Sequence, residues 1–393
     1  MPERDHDIVI FGATGFTGEL TAAYLAAHAP DGLRWALAGR NPAKLEEVRT
    51  RLARIDPALA DLPLLHADST DDASLRAVAE SARVVVSTVG PYLLYGEPLV
   101  AACAAAGTDY LDLTGETEFV DRMYLEHHDA AVASGARLVH ACGFDSIPHD
   151  LGVLFTVKQL PDDVPLTIRG SVRSNATASG GTFASALTAF SRGRQMKKAS
   201  AERRAVEPRP QGRKVRTVAK APHKDPVLGT WVVPLPTIDP FVVKRSAAAR
   251  ADYGPEFSYA HYAGVKTLRY VVGGVTGVGL LAAAAQVGPV RRALLSRLPA
   301  GTGPDEARRE RSWFTVDFVG EGGGRRVRTR VSGGDPGYTE TAKMLAESAL
   351  CLAFDDNPES AGSVTTSVAM GENLMDRIVK AGISFDVTGS EDL

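Results

Sequence analysis

Residues 7–18, DIVIFGATGFTG, constrain this chain more than any other stretch. The apolar run Ile8-Val9-Ile10-Phe11 meets Gly12, Gly15 and Gly18 at once, and a helical pattern follows over residues 19–27. Strand, glycine turn and helix, in that order, form the context in which a G-x-x-G-x-x-G spacing binds a dinucleotide. Gly12 allows the tight turn out of the strand. Gly15 lets backbone N–H groups approach a pyrophosphate, and Gly18 lets the helix pack closely on the strand. Ala13, Thr14 and Phe16 fill the remainder of this cradle. The pyrophosphate then lies at a helix N-terminus, where unpaired N–H groups and the helix dipole favour negative charge. The bland alternative is a tight turn in an ordinary α/β unit.

The second strand, residues 35–39, points to the form of the cofactor. An NAD site places Asp or Glu at its end, to accept a hydrogen bond from the ribose 2′-hydroxyl. Here the residue is Arg40, with no acid beside it. A guanidinium suits a 2′-phosphate, so the expected cofactor is NADP(H).

The alternation of strands and helices continues to about residue 146, as a parallel sheet requires. Asn41-Pro42 reads as an N-cap followed by proline in the first helical turn. A short third strand, residues 64–67, ends at Asp68, which is either an adenine contact or a helix cap. The fourth, residues 83–89, ends in Thr88-Val89-Gly90-Pro91-Tyr92 and then Tyr95. Ligands in open α/β sheets bind outside the carboxyl ends of the strands, so this loop lies near the nicotinamide. Two further strands end in Thr114-Gly115-Glu116 and in Cys142-Gly143-Phe144-Asp145-Ser146.

Beyond Pro148 the pattern changes. A connecting helix, residues 151–160, precedes alternating segments at 166–172, 257–265, 313–319 and 326–331. The last two flank a glycine turn and read as a hairpin. Arg326, Arg328 and Arg330 line its outer face. From residue 337 a helix with the stripe Tyr338, Ala342, Leu345, Ala349 and Leu352 leads to a final strand near residues 383–387. The expected architecture is α/β: a Rossmann NADP-binding domain with a parallel sheet over residues 1–150, and a second α+β domain with a mainly antiparallel sheet over 151–336. Residues 337–393 are expected to pack back on the first domain.

Two segments interrupt this plan. Residues 192–220 are rich in Lys and Arg, opposed only by Glu202 and Glu207. They follow helical spacing from Thr182 and end in a loop holding Pro208, Pro210 and Gly212. They read either as an exposed helix with a mobile insertion or as a docking surface for an acidic partner. Residues 270–290 carry no charge, and Arg269, Arg291 and Arg292 flank them. Their five glycines and their place between two strands favour a buried or homodimer-forming helix over a membrane-surface element, and both over a membrane span.

The formal net charge of −3 offers no field for nucleic acid. Three dispersed cysteines and a charged N-terminus fit a cytoplasmic protein without a disulfide framework. His66, His127, His128, His140 and His261 show no spacing that builds a metal site with the cysteines.

GATGFTG, the AGR after strand two, the run TVGPYLLYGEPLVAACAAAGTDYLDLTGE, CGFDSIPHDLG and GDPGYTETAKMLAESALCLA together resemble the saccharopine dehydrogenase-like oxidoreductases, and among them the actinobacterial trans-acting enoyl reductases. That group usually carries Ser where this chain has His149. The resemblance implies NADPH and, for some members, reduction of an enoyl chain made by a polyketide synthase that lacks its own reductase domain. The implied partners are an acyl thioester or lipid substrate and an acyl carrier protein or synthase; peripheral contact at a membrane or lipid surface through 270–290 is the second reading of that segment itself. Such a reaction needs a donor to the developing enolate oxygen and a proton for the α-carbon. Tyr92, Tyr95 and Asp145 are the candidates; each tyrosine could equally form an apolar wall, and Asp145 could orient substrate or cap a helix. Rival readings are a saccharopine-type imine or amino-acid reductase, using an arginine such as Arg173 to hold a carboxylate, and a lipid-associated NADP-binding scaffold.

Overall fold

The computed structural model describes residues 4–176, 187–188, 190–296 and 303–393. The first sheet contains β1 (His6–Phe11), β2 (Trp35–Gly39), β3 (Leu64–His66), β4 (Ala82–Ser87), β5 (Asp109–Asp112), β6 (Arg137–Val139) and β14 (Gly362–Val364). Its order is β14-β6-β5-β4-β1-β2-β3, and every described pairing is parallel. The order reverses between β1 and β4, which creates the crevice where ligands of such sheets bind.

Helices cover both faces. They are α1 (Phe16–His28), α2 (Pro42–Leu52), α3 (Asp72–Ser81), α4 (Tyr92–Tyr95), α5 (Glu97–Ala106), α6 (Thr117–Ser134) and α7 (Ile147–Val157). Asn41 caps α2 by accepting from the Lys44 N–H at 3.1 Å, with Pro42 in the first turn. Asp71, not Asp68, caps α3. The strand period of two sorts the core: Ile8 and Ile10 pack with Leu25 and Leu45, whereas Val9 and Phe11 pack with Leu75 and Leu99 on the opposite face.

The second sheet runs β15-β13-β12-β7-β11-β10-β9, with β8 also on β11. Its strands are β7 (Leu166–Ser174), β8 (Lys214–Thr217), β9 (His223–Lys224), β10 (Trp231–Pro234), β11 (Glu256–Val265), β12 (Phe314–Gly322), β13 (Arg325–Gly333) and β15 (Ser384–Asp392). It is mainly antiparallel; β11 runs parallel to β7 and β8. The β12–β13 hairpin turns at Gly323 and Gly324, both at positive φ. The helices of this part are α8 (Gly193–Val206), α9 (Asp239–Ala249), α10 (Leu268–Gln286), α11 (Gly288–Ser296) and α12 (Glu306–Glu310). Then come α13 (Thr339–Phe354), α14 (Thr366–Ala369) and α15 (Gly371–Lys380).

The tail divides. Helix α13 packs on α1 and on strands of the first sheet, and β14 extends that sheet at its edge. Strand β15 instead pairs with β13, so residues 384–392 belong to the second sheet and do not pack back on the first. Helix α7 joins the two halves: Leu151 and Leu154 share one core cluster with Ile10 on one side and Phe318 and Val331 on the other.

Two further expectations change. Helix α10 is not buried against the chain: Val272 is 61% and Leu280 68% exposed. The basic segment is partly consumed by ion pairs, because α8 lies on α6 with Arg192 bonded to Glu118 and Arg203 to Asp121. Its predicted terminal loop includes β8, which pairs with β11. The proposed helical start at Thr182 lies outside the described residues. Arg326 is paired with Glu321 and Glu391, and Arg330 with Asp317, so the hairpin's outer face is a solvated ion-pair surface.

Candidate functional site

The glycine turn leaves β1 at the sheet's carboxyl edge. Gly12 sits at φ +90°, a conformation open to glycine, and its N–H donates to the Ala38 carbonyl at 3.0 Å. Gly15 is the N-cap of α1 and supplies no side-chain cap, so the orphan donors of the first turn are left for an anion. A Cβ on Gly18 would lie 2.7 Å from Thr88 Oγ1 and 3.0 Å from Ala13 Cα. Thr88 fastens the turn to β4, donating at 3.1 Å to the Gly12 carbonyl, and Val89 packs beside it. Ala13 is buried and Thr14 exposed. The Phe16 ring meets Tyr338 edge-on at 4.9 Å, with the Arg309 guanidinium over it. Phe16 thus braces the turn against the rest of the chain.

Arg40 follows β2 directly and is exposed. Asp68 accepts from the Thr70 N–H and hydroxyl at 2.9 and 2.8 Å, which holds its carboxyl below the usual range. A glycine cradle that side chains would fill, an uncapped helix start and an exposed arginine after β2 fit a dinucleotide with a 2′-phosphate. Arg40→Ala is expected to weaken NADPH binding by roughly 10- to 100-fold, the loss of a charge-assisted contact of about 1.5–3 kcal/mol. NADH binding should change little. Titration of both cofactors checks this; equal weakening would reassign Arg40.

Tyr92 does not face the cleft. It is 7% exposed; its hydroxyl donates to the Ser87 carbonyl at 3.0 Å and accepts from the Leu113 N–H at 3.2 Å. Burial, and then the charge of Asp112, push its phenol well above the ordinary range. It ties α4 to β4 and β5, and the acid role expected for it falls away. Tyr95, at the other end of α4, is 41% exposed and remains available. Gly90 leaves space for a Cβ, with Tyr92 ring atoms at 3.6 Å.

The neighbouring loops are cross-braced. Leu93 donates to Glu116 at 2.9 Å, and Ala141, at the positive φ of 61°, donates to Asp112 at 2.9 Å. His140 Nδ1 contacts the other oxygen of Asp112 at 2.7 Å. Asp145 lies between β6 and α7 and is partly buried. Burial and the charge of Asp239 push its carboxyl up to about 6, against the opposing effect of His149. That value keeps a proton on Asp145 in mildly acidic solution, as a general acid requires.

Sequence spacing missed one cluster. His149 in the first turn of α7, Asp239 at the start of α9 and His261 in β11 converge in the interior. Burial pushes His261 down to about 4, although Asp239 acts in the other direction. His149 stood out in the sequence only as a departure from a resembling group.

The comparisons agree with this geometry. Residues 8–139 match the family model of the saccharopine dehydrogenase NADP binding domain. A trans-acting enoyl reductase of Mycobacterium tuberculosis is 34% identical over 417 residues, covering 98% of each chain. A second protein of that species, provisionally so named, is 37% identical over 414 residues with the same coverage. A saccharopine dehydrogenase-like oxidoreductase of Arabidopsis thaliana is 31% identical over 98% of this chain and 97% of its own. Saccharopine dehydrogenase of Saccharomyces cerevisiae, at 13% identity, shares the fold with a TM-score of 0.55 over 99% of this chain and 100% of its own. Identity above 30% along nearly the whole of both chains marks common descent rather than shared architecture alone. The chain therefore belongs to the saccharopine dehydrogenase-like oxidoreductases and binds NADP(H).

Proposed function

We propose that the protein reduces the C=C bond of an enoyl thioester of polyketide or lipid type. The observation that carries this reading is the 34–37% identity, end to end, with proteins named trans-acting enoyl reductases. When bound, NADPH supplies the hydride, which is received at the β-carbon. The turn from Gly12 to Gly18 and the start of α1 hold the pyrophosphate, and Arg40 holds the 2′-phosphate. Tyr95 donates a hydrogen bond to the oxygen on which enolate charge develops. Asp145 gives its proton to the α-carbon, leaving a saturated thioester and NADP+. The partner is an acyl carrier protein or synthase that presents the chain. A saccharopine-type reading has less support, because Arg173 is engaged with Asp317 at 3.3 Å rather than free for a substrate carboxylate.

The test is deuterium transfer from C4-labelled NADPH to an enoyl thioester, followed by mass spectrometry. Label at the β-carbon is expected; label beside a nitrogen in an amino-acid extract would favour the saccharopine-type reaction. Asp145→Asn should lower turnover by about 10²- to 10⁴-fold, the usual contribution of a general acid. Because Asp145 must carry its proton, wild-type turnover should fall as pH rises past about 6, and the variant should lack that limb.

Helix α10 favours contact with a lipid surface during delivery of such a substrate. It is exposed and apolar, and residues 257–304 contain basic but no acidic side chains. Flotation with vesicles containing anionic lipid should carry the protein upward, and deletion of 268–292 should abolish this. No flotation of the intact chain would remove the lipid contact.

A further inference from the structure

We propose that His149, Asp239 and His261 form a binding site for one divalent transition-metal ion of the zinc class. The three side chains come from α7, α9 and β11, and their exposures are 2%, 3% and 1%. One ligand atom from each lies within 4.8 Å of the others. His149 Nδ1 faces Asp239 Oδ1 at 2.6 Å, and His261 Nε2 faces Asp239 Oδ2 at 3.5 Å.

Hydrogen bonding accounts for only part of this convergence. His149 Nδ1 and Asp239 Oδ1 are within hydrogen-bond reach of each other, but His149 Nε2 and His261 Nε2 are buried without a hydrogen-bond partner among the described residues. Each such orphan is destabilising in an interior. One cation would satisfy a nitrogen of each histidine and a carboxylate oxygen together. Tetrahedral bonds of about 2.0–2.1 Å place ligand atoms roughly 3.3 Å apart, which small side-chain rotations supply from the spacings present. Two imidazoles and one carboxylate select zinc, cobalt or ferrous ions over magnesium or calcium, which take all-oxygen shells.

The surrounding groups fit ligands held in place. Tyr259 Oη lies 3.0 Å from His261 Nδ1, which fixes that ring with Nε2 turned toward the cluster. Thr237 donates to Asp239 Oδ2, which leaves Oδ1 facing His149. Three protein ligands leave a fourth position open to water. Phe144, whose ring is 5.5 Å from that of His149, belongs to the loop that ends β6 at the carboxyl edge of the first sheet. The ion therefore joins α9 and β11 to the element that borders the cofactor crevice.

The experiment uses the full chain, stripped with chelator and titrated with Co²⁺ and then Zn²⁺. NADPH binding by fluorescence reports that each variant is folded. One Co²⁺ per chain is expected, with the visible absorption of a four-coordinate site that Zn²⁺ abolishes. Asp239→Asn and His261→Gln should lose it. Tyr259→Phe, which leaves all three ligands in place, should weaken Zn²⁺ by about 10- to 100-fold. His127→Ala should change nothing, which separates the site from the exposed group Glu97, Glu126 and His127. Absence of the cobalt spectrum in wild-type protein that binds NADPH would overturn the proposal, and so would a spectrum that survives both ligand substitutions. Should those two variants fail to fold, unchanged Zn²⁺ affinity in Tyr259→Phe overturns it.

Discussion

Gly18→Ala is expected to weaken NADPH binding by about 100-fold and to lower the thermal midpoint. The added methyl group meets Thr88 Oγ1 at 2.7 Å and comes nearer still to the Gly12 carbonyl oxygen. Thr88 cannot rotate away freely, because its hydroxyl holds the carbonyls of Phe11 and Gly12. Gly12 cannot retreat either, since its N–H is fixed to Ala38 in β2. The strain is therefore relieved by moving α1 off the sheet, which displaces the N–H groups that hold the pyrophosphate. Overpacking of this kind costs about 1–3 kcal/mol of stability. A similar loss in the binding contacts weakens NADPH by about 100-fold. Gly15→Ala is the control: its Cβ meets only the Gly12 carbonyl oxygen, at 3.3 Å. Thermal unfolding of the pair should give a large and a small effect, whereas both substitutions should weaken NADPH, Gly15→Ala because its methyl group stands where the pyrophosphate approaches. Equal, small effects would mean that the turn is looser than described.

Arg203→Ala is expected to be the most destabilising substitution on the basic helix. Arg203 projects from α8 and bonds Asp121 of α6, with side-chain exposures of 6% and 1%. Burial lowers the Arg203 guanidinium and raises the Asp121 carboxyl, each against the pull of its partner. Removing the arginine strands a buried carboxylate, a change that costs about 3–5 kcal/mol. Replacing both members, as in Arg203→Met with Asp121→Leu, should recover most of that loss. Arg204→Ala, one position along and exposed, should change stability by less than about 1 kcal/mol. Chemical denaturation of the three variants measures the contrast. A double variant no more stable than Arg203→Ala would show that Phe241, which stacks under Arg203 at 5.0 Å, carries the effect instead.

These two cases also show what a linear chain reveals. The cofactor cradle was legible because its determinants are local: Gly12, Gly15 and Gly18 lie within one turn, and Arg40 follows its strand directly. The alternation of strands and helices was legible for the same reason. Pairings across the fold were not. Nothing near Arg203 in the sequence announces Asp121, so a helix that is half occupied in holding the fold together read as a free basic surface. Tyr92 stands in a loop at the right edge of the sheet, yet a hydroxyl bonded to Ser87 and Leu113 is set by how α4 folds back. His149, Asp239 and His261 meet only because α7, α9 and β11 do. Helix α10 carries the composition of a core segment, and composition does not tell whether a partner surface exists within the same chain.

The placement of α13 bears on how the chain is made. This helix is buried along almost its whole length, and it covers β1, β4 and β5 from the side shared with α1. It is reached only after β13 has been synthesised, and β14, which completes the edge beside β6, follows it. A nascent chain that has released residues 1–150 has therefore made six strands of the cofactor sheet but lacks the helix over their apolar face. Val84, Val86 and Leu111 wait uncovered until Met344, Leu345 and Ala349 emerge. The early half is therefore expected to reach its packed state only after α13 has emerged. A fragment cut at residue 150 is expected to aggregate, and supplying residues 337–393 as a separate chain should restore it in part, because α13 and β14 lie within that stretch.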